Sequence, residues 1–178
     1  MGEIRKSEWL DSSLAFVGIE MLLLCEIQAL GELDVELIED SAKIKINSQT
    51  EEDQQIKRRH FLISKLWILG AYEVVRFLND LDKQRGLLVN DLTKSELRDV
   101  LTTFTKVRVP LAKFQKAGNN KKLYESIADS FIDQNNGVGW KVYSLGKNDL
   151  RKEIFLRKDL GDRLLKLLKN IKKDLTKN

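Results

Sequence analysis

The segment HFLISKLWILGAYEVVRFL, residues 60–78, decides the fold of this chain. It is the most apolar long segment in the sequence, but Lys65, Glu73 and Arg76 interrupt it. A membrane span needs about 20 mostly apolar residues, and a charge at its centre costs at least about 2.5 kcal/mol. The three charges share one side of a helix with Asp80, and the rest of the girth is apolar. This pattern predicts the central helix of a helical bundle.

The flanking residues predict where the central helix begins and ends. Thr50 is a typical N-cap, and the three acidic residues that follow it favour the positive end of a helix. We expect the helix to extend to Lys83 or Gln84 and to stop at Gly86. Gly70 lies in its middle, which is easiest to accept if a neighbouring backbone packs closely there.

Similar patterns predict further helices on both sides. The expected helices are one from Ser7 to about Leu30 that stops at Gly31, one from about Lys94 after the capping-box sequence TKSE, which Pro110 ends or kinks, and a shorter one over residues 121–132. The chain closes with an amphipathic helix. Its apolar stripe consists of Leu160, Leu164, Leu167, Leu168, Ile171 and Leu175.

Two short segments near the C-terminus have the pattern of strands. WKVYSL and EIFLRK are joined by a polar loop and predict a β-hairpin. The alternating sequence AKIKIN, residues 42–47, is a candidate third strand. We find no internal repeat and no linker. The sequence therefore predicts a single mainly α domain over residues 1–178: a helical bundle with a small β-hairpin or three-stranded sheet and a closing amphipathic helix.

Charge divides the chain into an acidic and a basic part. Residues 1–53 carry 4 Lys/Arg and 13 Asp/Glu, a net charge of −9, whereas residues 54–178 carry 27 and 14, a net charge of +13. One interpretation is that the two parts pack together and their fields partly cancel. The other is a basic face that binds a nucleic acid or another anionic partner, with strongly salt-dependent affinity. The candidate residues for this face are Lys57, Arg58, Arg59, Lys166, Lys169, Lys172, Lys173 and Lys177.

Residues that commonly carry catalysis are sparse in this sequence. The one cysteine, Cys25, lies in the apolar run MLLLCEIQ, which is typical of a small buried hydrophobe. Di-iron bundles use two Glu-x-x-His motifs, and Lys57 stands three residues before the one histidine, His60. The sequence contains no GxSxG, GxxxxGK[ST] or GxGxxG motif. We therefore predict no catalytic residue, no metal site and no cofactor, and the sequence favours a non-enzyme.

One enzyme family needs separate treatment. The predicted bundle would be similar in architecture to the HEPN ribonucleases, which place an arginine and a histidine four to six residues apart on a helix. Here Arg58 and Arg59 immediately precede His60, so that spacing is missing. The resemblance implies at most an inactive or divergent relative, because fold does not establish activity. We interpret His60 instead as a boundary residue at the entry to the apolar segment.

The remaining observations favour an interaction protein. The start of the chain has no pattern of a signal peptide, and one cysteine fits a reducing compartment, so we expect a cytoplasmic protein without a membrane span. The leading hypothesis is a non-enzymatic interaction or regulatory protein, of the antitoxin or immunity kind. It would bind a protein partner or associate with itself. The alternatives are a nucleic-acid-binding regulator that uses the basic face, and the inactive or divergent nuclease relative.

Overall fold

A computed structural model describes residues 2–88, 90–112, 127–145 and 150–176. These residues form five α-helices and one small antiparallel sheet of three strands. The elements are α1 (Gly2–Ser13), α2 (Met21–Ser41), α3 (Glu51–Arg85), α4 (Asp91–Ala112), β1 (Ile127–Asp133), β2 (Gly137–Leu145), β3 (Leu150–Leu156) and α5 (Arg157–Leu175), with a 3₁₀ turn (Leu14–Phe16) between α1 and α2. The predicted fold class is confirmed.

The hydrophobic core draws on all five helices and on β2. Its buried side chains include Trp9, Ile27, Trp67, Phe104, Trp140 and Leu164. The central helix α3 packs between α2 and α4, and α5 packs against α4, α1 and the sheet. Helix α3 contributes more buried residues than any other described helix, and α2, α4 and α5 pack against it.

Both ends of α3 have the caps that the sequence predicts. The hydroxyl of Thr50 accepts a hydrogen bond from the backbone N–H of Asp53 at 3.3 Å. Gly86 follows the helix with φ 62°, a left-handed conformation that glycine adopts at low cost. These two residues fix a helix of 35 residues, which is about 52 Å long at 1.5 Å per residue.

The charged side that the sequence predicts for α3 is also present. Arg76 lies 2.7 Å from a carboxylate oxygen of Glu73 and 3.7 Å from one of Asp80, on the exposed side of the helix. The neighbour of Gly70 differs from the prediction. A Cβ at Gly70 would lie 3.2 Å from Cδ2 of Leu30, so a leucine side chain packs there rather than a backbone.

The prediction of one helix over residues 7–30 that stops at Gly31 is wrong. The chain turns between α1 and α2, where Gly18 has φ 80° and Glu20 is extended. Gly31 lies inside α2, and a Cβ there would lie 2.5 Å from Cβ of Trp9 on α1. The glycine therefore serves the close packing of α1 on α2 and not the end of a helix.

This contact predicts the effect of an alanine at position 31. Gly31→Ala should lower the free energy of unfolding by about 1–3 kcal/mol, because overpacking exceeds the gain of about 1 kcal/mol in helix propensity. Gly70→Ala is the matched control, since its neighbour is the flexible end of one leucine. Urea denaturation should place Gly70→Ala within about 1 kcal/mol of wild type. Equal stabilisation by both alanines would contradict the close contact.

Helix α4 begins earlier than the prediction of Lys94. Its first turn is capped by Asn90, whose side-chain oxygen accepts a hydrogen bond from the backbone N–H of Leu92 at 2.9 Å. Thr93, the expected N-cap, lies buried within the first turn. Pro110 lies inside the last described turn of the helix, two residues before its end. The capping-box prediction placed the helix correctly but started it one turn too late.

Strands β2 and β3 confirm the predicted hairpin, and β2 is the central strand of the order β1-β2-β3. Trp140 on β2 lies opposite Ser130 on β1 and Phe155 on β3.

The predicted helix over residues 121–132 is wrong for residues 127–132, which form β1, and its first six residues lie outside the described parts. Backbone pairing with β2 along the whole of β1 outweighs a weak local helical pattern.

Residues 42–47 do not form the predicted third strand. Their backbone is engaged in turns, with N–H groups of Lys43 and Ile44 donating to carbonyls of α2 at 2.9 and 3.3 Å. The ammonium of Lys57 also donates to the carbonyl oxygens of Ile46 and Ser48, each at 2.8 Å. This segment therefore satisfies its backbone by turns and by a lysine from α3, and the third strand comes from elsewhere in the chain.

Candidate functional site

A buried group of charged side chains joins α1, α2 and α5. Asp34 is completely buried, and one of its oxygens accepts hydrogen bonds from Nε of Arg5 at 2.5 Å and from Nε1 of Trp9 at 3.0 Å. Its other oxygen accepts from Nη1 of Arg157, which is 2% exposed. Arg5 also donates to Asp162 at 2.5 Å. We call these five residues the Asp34 cluster.

Burial disfavours the charged form of both arginines in the Asp34 cluster. Burial lowers the pKa of Arg157 more than the neighbouring Asp34 raises it. Burial also lowers the pKa of Arg5, but hydrogen bonds and attraction from Asp34 and Asp162 outweigh it and the pKa is raised. Arginine stays protonated in proteins, so both guanidiniums are cations and Asp34 is the buried anion between them. The cluster therefore links α1, α2 and α5 through ion pairs.

Sequence reasoning missed this cluster because its members are far apart in the chain. Asp34 lies 29 residues from Arg5 and 123 residues from Arg157. In the sequence Asp34 is one of several acidic residues of residues 32–40. A weak signal existed in helical spacing, since Asp34 shares a face with Ile27, Leu30 and Leu37, all of which are buried.

His60 lies at the start of the apolar segment, as the sequence places it, and it is buried within α3. It lies in the third turn and is 4% exposed. Among the described residues no group lies within hydrogen-bonding distance of its Nε2 atom. Burial and the charge of Arg157 lower its pKa from 6.5 to about 4, against a smaller opposite effect of Asp40. The imidazole is therefore neutral at pH 7, and a nucleic-acid strand outside the protein does not reach it.

Cys25 differs from its prediction as well. It lies on α2 with its side chain exposed, not buried among the leucines of its own run. Leu23, Leu24 and Ile27 occupy the buried face, and Cys25 points to the opposite side of the helix. No shared site of Cys25 and His60 is therefore formed, because one is at the surface and the other is in the core.

Three of the candidate lysines on α5 lie beside acidic residues of other helices. Lys166 lies 3.7 Å from Glu96 on α4, Lys169 lies 2.7 Å from Glu8 on α1, and Lys172 contacts Asp11 on α1. Lys173 is exposed, and Lys177 lies outside the described residues. The acidic N-terminal part of the chain thus neutralises part of the closing helix, as the first interpretation of the charge pattern expects.

The three basic residues that precede the apolar segment fall in different environments. Lys57 is buried with its ammonium on two backbone carbonyls, so it has no surface to offer an anion. Arg59 is exposed and lies 3.6 Å from Glu36 on α2. Arg58 is exposed on α3. Of these three residues, Arg58 and Arg59 present their charge at the surface.

Exposed apolar side chains are concentrated at the turn between α1 and α2. Leu14 is 50% exposed, Val17 58%, Met21 60% and Leu22 74%. All four lie within nine consecutive residues, and we call them the corner patch. Single exposed leucines are ordinary, whereas several exposed apolar side chains in one short segment make a candidate contact surface.

Among residues 2–88, 90–112, 127–145 and 150–176, no group of three or more His, Cys, Asp or Glu side chains is arranged to hold a metal ion. In the same parts of the chain, no helix combines the length and the hydropathy needed to cross a membrane.

Comparisons with known proteins assign no family. No protein-family model, no curated protein and no solved structure matches the chain.

Proposed function

We propose that this chain is a cytoplasmic, non-enzymatic interaction protein of the regulatory or immunity kind, which binds a basic protein through the corner patch. The observation that supports it most is the exposure of the four apolar side chains of the patch, between 50% and 74%. Removing such a surface from water contributes about 25 cal/mol per Å² of buried apolar area. A protein partner that covers the patch would gain this free energy.

The surroundings of the patch favour a basic partner. Glu20 lies between Val17 and Met21, and Glu26 is exposed one turn after Leu22 on α2. Residues 1–53 as a whole carry a net charge of −9. Complementary charge around an apolar centre speeds association and selects the partner.

The nucleic-acid alternative receives less support than the protein partner. Lys166, Lys169 and Lys172 have acidic neighbours within 4 Å, which lowers the positive field that a phosphate backbone would meet. The inactive-nuclease alternative stays a prediction, since the buried His60 gives it no added weight.

The test is capture of a partner from native lysate with matched variants. Wild-type protein should recover a stable partner, and the double variant Met21→Glu/Leu22→Glu should lose at least about 90% of it, since two buried charges cost several kcal/mol at an interface. Leu92→Glu on α4 is the control, because Leu92 is 79% exposed and lies outside the patch. Equal recovery by wild type and double variant, or no partner at all, would count against the proposal.

A further inference from the structure

A groove runs between α1 and α2 beside the corner patch. Its volume is about 300 Å³, and the buried residues Trp9 and Gly31 lie at its floor. Each side is bordered by a ridge of side chains that recur at four, three and four residues, a spacing that keeps them on one face of a helix. The ridges are Glu3, Ser7, Leu10 and Leu14 on α1 and its following 3₁₀ turn, and Met21, Cys25, Gln28 and Glu32 on α2. Leu14 and Met21 also belong to the corner patch, so the groove adjoins the patch.

The geometry of this α1–α2 groove suits a third helix. Trp9 contacts Gly31, and Ser13 accepts a hydrogen bond from Gln28 at 3.1 Å, so α1 and α2 run antiparallel side by side. Each ridge extends over about three turns, or about 17 Å at 1.5 Å per residue. A helix packs by placing its own rows of side chains into such a groove, and an amphipathic helix turns its apolar face inward.

The charges beside the groove favour a basic helix. Glu3 and Glu32 lie at the end away from the corner patch, and Glu20 precedes Met21 at the patch end. Lys6 is the one cation that lines the groove in the part of the chain that the structure describes, and it lies 3.3 Å from Glu32. Both members of that pair are more than half exposed, so the pair itself contributes little. Three carboxylates against one ammonium leave a net charge of −2 along the groove.

We propose that the partner places a basic amphipathic helix in the α1–α2 groove. Its apolar side chains would pack against Leu10, Leu14 and Met21, which are 49%, 50% and 60% exposed. Its lysines or arginines would lie beside Glu3 and Glu32. This inference rests on the proposed function, and it names the element of the basic partner that the corner patch receives. The apolar contact supplies the affinity, and the carboxylates reject an acidic helix of the same shape.

Fluorescence anisotropy with labelled synthetic peptides tests the groove on the full chain. The probe is a helical peptide whose leucines recur at three- and four-residue spacing among lysines. One control replaces every lysine with glutamate, and the other has the same composition with leucine and lysine in strict alternation. The lysine helix should bind wild type with a Kd below about 100 µM, and both controls should bind at least about tenfold more weakly. Equal binding of the lysine helix and either control, or no binding at about 100 µM, would overturn the proposal.

Charge reversal in the groove should weaken binding of the lysine helix. Glu3→Lys/Glu32→Lys should raise its Kd at least about tenfold. The matched reversal Asp99→Lys/Asp129→Lys, at exposed acids of α4 and β1, should leave the Kd within about threefold of wild type. Lys6→Gln should lower the Kd about twofold or more, because it removes the cation beside Glu32. Weaker binding by Lys6→Gln, or equal effects of the two reversals, would exclude the groove as the site.

Capture from native lysate separates this inference from the proposed function. Glu3→Lys/Glu32→Lys should lose at least about 90% of the captured partner, as Met21→Glu/Leu22→Glu should. Full capture by the Glu3/Glu32 variant with loss in the Met21/Leu22 variant would overturn the groove and leave the corner patch as the contact surface. Full capture by both variants would overturn both proposals.

Discussion

Asp34→Ala should lower the free energy of unfolding by about 3–5 kcal/mol, because it removes one partner of a buried ion pair. It leaves Arg5 and the almost fully buried Arg157 without the anion between them. It also leaves the indole N–H of Trp9 without its acceptor. Domains of this kind have a total stability of about 5–15 kcal/mol, so the variant should lose a large fraction of it. Urea denaturation followed by circular dichroism measures the difference.

Variants at Arg157 show whether the loss comes from uncompensated charge. Arg157→Met should cost less than Asp34→Ala, because Asp34 then keeps its hydrogen bonds to Arg5 and Trp9. The double variant Asp34→Leu/Arg157→Met should recover at least about 1 kcal/mol relative to Asp34→Ala, since apolar residues that fill a buried ion-pair site are often neutral or stabilising. If Asp34→Ala were no more destabilising than an exposed aspartate substitution such as Asp159→Ala, the cluster would not stabilise the fold.

His60 should make the fold less stable in mild acid. Its pKa is about 4 in the folded state and near 6.5 in the unfolded chain, so the unfolded chain binds a proton first as the pH falls. The contribution of His60 is complete above pH 6.5 and is lost progressively between pH 6.5 and about 4. The stability lost at pH 4 through the protonation of His60 is about 3 kcal/mol, because one pKa unit corresponds to about 1.36 kcal/mol. The measurement is the free energy of unfolding from urea titrations across this range.

The variant His60→Gln separates the histidine from the carboxylates. Glutamine does not titrate, so the difference in stability between wild type and His60→Gln should change by about 3 kcal/mol between pH 7 and pH 4. Asp162 and the other acids contribute equally to both proteins and cancel in the difference. Parallel stability curves for the two proteins would show that His60 has an ordinary pKa and is accessible to solvent.

The central helix, the hairpin and the closing helix could all be predicted because their signals are local. Thr50 and Gly86 cap α3 within one turn of its ends, and the leucine stripe of α5 repeats every three or four residues. The strand patterns of WKVYSL and EIFLRK likewise marked the strands of the hairpin. Such features depend on residues only a few positions apart, so a single sequence contains them.

The predictions failed where the local sequence pattern favours one structure and the packing of distant residues favours another. Gly31 has the position of a helix stop, but Trp9 packs against it and α2 continues. Residues 127–132 have a weak helical pattern, but pairing with β2 makes them a strand. Cys25 lies in an apolar run, but only one face of α2 packs into the core, and Cys25 lies on a different face. In each case a tertiary contact outweighs a local preference of about 1 kcal/mol or less.

The sequence by itself determined the class of the fold, the bounds of its central helix, the closing amphipathic helix and the division of charge between its two parts. Only the tertiary structure decided which charges are paired and which surfaces stay open. It buried Asp34 between two arginines, placed Lys166, Lys169 and Lys172 of α5 beside acidic residues of other helices, and left the corner patch exposed. The physical reason is range: helix periodicity and capping act over three or four residues, whereas burial and ion pairing depend on groups that only folding brings together.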